Sequence, residues 1–96
     1  MELEHLRIFL AVVDQGSFTK AARALYISHS TTSRSVSALE QALGVRLLKR
    51  DNRSVQLTPA GETLRREGRQ LLSRVEAMEK AVRALGDDGP KNTGKP

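Results

Sequence analysis

Phe18–Leu43, FTKAARALYISHSTTSRSVSALEQAL, is the stretch whose reading decides the fold. Two short helical patterns flank a break at Tyr26-Ile27-Ser28. The first places Phe18, Ala21, Ala22 and Leu25 on one face, at offsets of three and four, as a buried helical stripe does. The second places Thr32, Val36, Leu39 and Leu43 on one face and Ser30, Ser33, Arg34 and Ser37 on the other. That second face is small and hydroxylated, with one arginine and no carboxylate before Glu40. A solvated face ordinarily mixes Glu with Lys; this one suits a polyanion. Ser28 is an expected N-cap, its hydroxyl accepting from a free first-turn N–H. Ala22 is small where the helices must approach, and Leu25 and Ile27 are expected to close the space between them. Two helices joined by a three-residue turn, the second with a hydrogen-bonding face, form a helix-turn-helix. A helical hairpin in a small bundle is the alternative on spacing alone.

Working back, Leu3, Leu6, Phe9, Leu10 and Val13 follow a helical period that supplies the third side of a core. Gly16 stands where a left-handed C-cap is favoured, and Ser17 caps the next helix. His5 is expected on the exposed side, with no partner at metal-ligand spacing. Working forward, Gly44 stops the second helix. Val45–Arg50 then buries Leu47 and Leu48 and exposes three cations. Asp51-Asn52-Arg53-Ser54 is turn-forming. Val55-Gln56-Leu57 alternates as a short strand, so a small hairpin with Arg53 near its tip, a wing, competes with an ordinary loop. Thr58 and Pro59 open a further helix as N-cap and first helical residue. It runs to about Leu85, roughly 40 Å at 1.5 Å per residue. Leu64, Leu71, Met78 and Leu85 recur at sevens, interleaved with Gly68, Val75 and Val82, a heptad seam widened by Leu72. Gly68 permits close approach to the core. A three-helix core cannot cover the whole seam, so its far half either frays or finds another partner. Residues 86–96 are polar and aperiodic, a disordered tail or the start of a hinge.

The chain has 96 residues, enough for one small domain, and no cysteine, hence no disulfide or thiolate chemistry. No apolar run reaches membrane-spanning length, and no signal peptide is legible. Three aromatic residues argue against base stacking as the recognition mode. The net charge is +5: residues 1–27 are neutral overall, residues 28–57 carry +3 and the rest +2. Positive charge is densest on and after the second helix of the motif, the footprint of nucleic-acid binding. No acid/base pair, nucleophile constellation or phosphate-binding glycine loop is present. The chain is expected to be no enzyme, with no metal and no cofactor in this fragment.

Together these residues resemble the N-terminal DNA-binding domain of the LysR-type transcriptional regulators, from Met1 to about Leu85. The motifs are Leu6-Arg7-Ile8-Phe9 with Val12-Val13, Gly16-Ser17-Phe18-Thr19-Lys20-Ala21-Ala22, and Ser33-Arg34 with Leu39-Glu40. Leu43-Gly44-Val45-Arg46-Leu47-Leu48 and Leu57-Thr58-Pro59-Ala60-Gly61 complete them. The resemblance implies a mainly α winged helix-turn-helix over residues 1–57, with a three-helix core and a small β-hairpin wing. A linker helix over 58–85 would dimerise it, with antiparallel pairing. Members of the family usually continue into an effector domain that senses a small molecule. The chain is therefore expected to be an excised DNA-binding fragment, or a naturally short protein, working in the cytoplasm at the nucleoid. Where the family shows Gln-Pro, this chain has His29-Ser30. Thr32 stands at a usually apolar position, where its hydroxyl either turns back to the Ser28 carbonyl or leaves a soft spot in the core. Ser37 and Ala38 replace residues that are often basic.

By resemblance and by face, His29, Ser30, Thr31 and Arg34 are the expected base readers in duplex DNA. Ser17, Thr19, Ser33 and Arg50 are expected at phosphates, and Arg53 in the minor groove. Leu71, Leu72, Val75, Met78, Val82 and Leu85 are expected to form a homodimer. A helical protein-interaction module built on the heptad seam is the alternative function.

Overall fold

The computed structural model describes residues 1–49 and 54–86. Four helices follow one another: α1 (Leu3–Gln15), α2 (Phe18–Leu25), α3 (His29–Leu43) and α4 (Pro59–Leu85). The boundaries from the end of α1 to the start of α4 have local causes. The Ser17, Ser28 and Thr58 hydroxyls accept from the backbone N–H groups of Lys20, Thr31 and Gly61, each at 3.0 Å. Each thereby satisfies a donor that a helix start leaves orphaned. Gly16 and Gly44 end α1 and α3 at φ 67° and 73°, in the left-handed region where a side chain is strained. Tyr26 ends α2 in the same region at φ 58°. It is the single non-glycine residue with positive φ among the described residues.

The helix α1 is the hub, packing on α2, α3 and α4. Leu6, Phe9, Leu10, Val12, Ala21, Val36, Leu39, Leu47 and Leu48 form one buried cluster. Ile8 and Val12 are buried although they lie off the stripe read from the period, because three neighbours surround α1 on more than one side. Three residues expected inside are exposed: Leu3, Leu25 and Leu43, at 40, 37 and 42%. Leu3 and Leu43 lie at the first and last positions of their helices, and Leu25 at the last of α2. Ala21 and Ala22 are buried and Ile27 is half-buried, whereas Leu25, expected with Ile27 between the helices, is exposed. His5 is half-buried rather than fully outside. Thr32 is fully buried, and its hydroxyl donates to the Ser28 carbonyl at 2.9 Å, so it is no defect in the core.

After α3 the chain turns at Gly44 and pairs with the segment before α4. Leu48 and Leu57 form an antiparallel bridge. Lys49 N–H donates to the Gln56 carbonyl at 2.9 Å, and Thr58 N–H to that of Leu47 at 3.0 Å. These bonds lie at the base of the expected wing, whose tip falls outside the described residues. Thr58 also donates its hydroxyl to the Arg46 carbonyl at 2.7 Å, joining the wing base to the start of α4.

The close approach read at Gly68 is present: a Cβ there would stand 2.9 Å from Leu6 Cδ1. Gly61 is tighter, since a Cβ would come within 2.1 Å of the Leu47 carbonyl oxygen. Arg69 and Asp14 form an ion pair that ties α4 to the end of α1. Among the described residues no helix is long and apolar enough to cross a membrane.

Candidate nucleic-acid interface

The helix α3 points its first turn outward. His29 and Ser30 are exposed, Thr31 is half-buried, and Arg34 is exposed one turn on. The side chains of Ser30, Thr31 and Arg34 are linked through the cap. The Ser28 hydroxyl accepts from Thr31 N–H and donates to Thr31 Oγ1 at 2.8 Å. It lies 3.3 Å from the Ser30 hydroxyl. Arg34 Nη2 donates to Thr31 Oγ1 at 3.4 Å. Such exposed bonds add little net stability because water competes for each group. Their effect is directional: they gather hydroxyl and guanidinium groups at one end of one helix face. No carboxylate lies on α3 before Glu40, so the face repels no phosphate.

The start of α2 stands beside the start of α3. The Phe18 and His29 rings lie 6.1 Å apart between centroids, tilted by 41°. Ser17 and Thr19, which flank Phe18, therefore share the end of the domain that presents the first turn of α3. Thr19 is exposed. Ser17 is half-buried, and its oxygen already accepts from Lys20 N–H. Ser33 is half-buried as well, which leaves it less open than the other expected phosphate contacts. Arg50 and Arg53 lie outside the described residues. Arg46 and Lys49 are exposed on either side of buried Leu47 and Leu48.

Sequence reading missed Glu40. Its side chain is 7% exposed, accepts from Leu47 N–H at 2.8 Å and Leu48 N–H at 3.3 Å, and pairs with Arg46 at 3.6 Å. It fastens the last turns of α3 to the first residues of the wing. A signal was available: Thr32, Val36 and Glu40 succeed one another at four-residue spacing along the buried stripe. Tyr26 was read only as part of the turn, yet it is 95% exposed beside the start of α3.

On α4, Leu71, Val75, Met78 and Val82 line one shallow groove with Arg74, Ala77 and Ala81. Leu71, Met78 and Val82 are 41, 58 and 66% exposed and Leu85 beyond the groove is 86% exposed, while Val75 is half-buried. Leu72, half-buried like Val75, departs from this set by packing on the domain's own core.

A helix-turn-helix whose first reading turn is exposed, with a wing base and a long trailing helix, belongs to the class of winged DNA-reading domains. The sequence model of bacterial regulatory helix-turn-helix proteins of the lysR family matches residues 3–62, and the chain belongs to that family. It is 44% identical over 86 residues to a probable cat1 operon transcriptional activator of Acinetobacter lwoffii. It is 47% identical over 78 residues to the HTH-type transcriptional regulator BenM of Acinetobacter baylyi. Those matches take in 90% and 81% of this chain but 28% and 26% of the relatives, so the chain spans about a quarter of their length. Among solved structures, the BenM DNA-binding domain in complex with catB site 1 DNA superposes with a TM-score of 0.85 at 44% identity. That match covers 90% of this chain and 98% of the other. The CbnR DNA-binding domain in complex with DNA gives 0.82 at 36% identity, covering 88% and 97%.

Proposed function

We propose that this chain binds duplex DNA sequence-specifically as a twofold dimer, as the reading domain of a bacterial transcription regulator. The observation that carries the reading is the outer face of α3, where His29, Ser30, Thr31 and Arg34 converge with no carboxylate among them. In this reading the first turn of α3 enters the major groove. Arg34 pairs bidentately with guanine, and His29, Ser30 and Thr31 give less selective contacts. Ser17, Thr19, Ser33 and Arg50 position the phosphates, and Arg53 on the wing enters a narrow A·T-rich minor groove. The DNA complexes of the BenM and CbnR domains support this use of the fold.

The dimer reading rests on the strip along α4. Burying an aliphatic side chain is worth about 1.5–3 kcal/mol, and Leu71, Met78, Val82 and Leu85 all stand exposed in the single chain. A twofold axis lets the strip meet itself, with Val75 in the seam and Leu72 at its border with the core. The pair is antiparallel, and it spaces two α3 helices for a two-half-site operator. Response to a small molecule would come from an effector domain outside this chain, and the place of action is the cytoplasm.

The test is selection of binding sites from a random duplex pool, followed by titration. Wild type should enrich a two-half-site sequence, and Val75→Asp with Met78→Asp should sediment as a helical monomer that binds it weakly. Absence of any enriched sequence would sink the reading. So would a monomeric wild type at tens of micromolar. The exposed strip also favours a second reading, a module that binds a partner's helix. In that case a gel shift with duplex DNA at low salt shows no complex.

A further inference from the structure

We propose that Phe18 is a positioning residue for base selection: its ring sets the orientation of the His29 imidazole at the start of the reading helix. The inference rests on the DNA-reading function proposed above and goes beyond it by assigning selectivity to a residue that faces the core.

Phe18 is the first residue of α2 and is half-buried, packed against the core cluster. His29 is the first residue of α3 and is exposed. Eleven positions apart in sequence, their rings meet across the helix-turn-helix at 6.1 Å and 41°, within the range in which aromatic rings attract one another. An exposed histidine otherwise samples several rotamers, and each leaves its two nitrogens aimed elsewhere. The nitrogens differ in donor and acceptor character, so ring orientation decides which base edge the side chain can match. Phe18 is held by the core and its neighbour Ser17 by the cap bond to Lys20, so the ring against His29 is itself fixed. A reading group held in place before binding loses less freedom on contact and discriminates more sharply. The same phenylalanine closes the core, and leucine there would close it too. Only an aromatic ring, however, offers the imidazole this partner.

The experiment is a double-mutant cycle read as base preference at each operator position. Phe18→Leu in wild type should lower discrimination by about three- to ten-fold, the scale of an aromatic pair, at the one base pair where His29→Ala also loses it. Phe18→Tyr, which keeps the ring, should retain wild-type preference. In the His29→Ala background Phe18→Leu should change no preference. A uniform loss of affinity at all positions would overturn the proposal, as would an equal effect of Phe18→Leu with and without His29. Should Phe18→Leu fail to fold, Phe18→Tyr and Phe18→Met with thermal melts take its place. A selective loss in the folded Met variant supports the proposal, and an unchanged preference overturns it. If wild type enriches no sequence, the DNA-reading function itself fails. If wild type enriches one and His29→Ala changes nothing, the function stands and this inference falls.

Discussion

Removing the Glu40 carboxylate should destabilise the domain, because it fastens the buried last turns of α3 to the segment that follows. Its oxygen accepts from Leu47 N–H and Leu48 N–H, and those residues are 1% and 3% exposed. Glu40→Ala leaves both donors buried without this acceptor, at about 1–3 kcal/mol each. The ion pair with Arg46 adds little, because the arginine is 67% exposed and water screens it. A loss of about 2–6 kcal/mol is therefore expected, a large share of the roughly 5–15 kcal/mol that holds a small domain together. Glu40→Gln keeps one carbonyl oxygen at the same place. It should lose only the charge-assisted part, about 1–2 kcal/mol. Urea denaturation followed by circular dichroism reads both at a single protein concentration, since the proposed dimerisation would make apparent stability concentration-dependent. An alanine variant within about 0.5 kcal/mol of wild type, the range of an ordinary surface substitution, would refute the reasoning. A glutamine variant as damaged as the alanine one would refute it too, because charge rather than acceptor geometry would then dominate.

Gly61→Ala should lower the melting temperature despite the roughly 1 kcal/mol that alanine gains over glycine in a helix, because the new Cβ meets the Leu47 carbonyl 2.1 Å away. Gly68→Ala meets only the tip of the flexible Leu6 side chain at 2.9 Å and should be milder; the reverse order in thermal melts would contradict the packing described. Arg34→Ala should cost about 1–3 kcal/mol on the selected site and relax preference at one position, whereas equal losses on all sequences in a competition titration would make Arg34 a phosphate contact. Log affinity should fall linearly with log salt by about 0.9 for each phosphate neutralised, and a flat titration from low to physiological salt would contradict a basic DNA-binding face.

The helix boundaries from the end of α1 to the start of α4 were legible because they are decided within a few residues. Ser17, Ser28 and Thr58 find their partners three positions on, and Gly16 and Gly44 need only their own freedom of φ. Thr32 was legible for the same reason, its hydroxyl turning back four residues to Ser28. The expected readers His29, Ser30 and Arg34 are exposed as their place on the helix face implies. What escaped was decided farther away. Glu40 finds its partners seven and eight residues on, across a chain reversal, and Gly61 is constrained by a carbonyl that local sequence does not place beside it. Periodicity fixes the angle of a side chain around a helix axis, but not how far along that axis the neighbouring element reaches. Leu39 and Leu43 share a stripe by angle, yet Leu39 is fully buried and Leu43 is 42% exposed. Ala21 and Leu25 divide in the same way along α2. On α4, Leu64 packs on the core while Leu85, three heptads later, is 86% exposed. There the mismatch between stripe length and core length far exceeds one turn, and it is this strip that the dimer proposed above would cover.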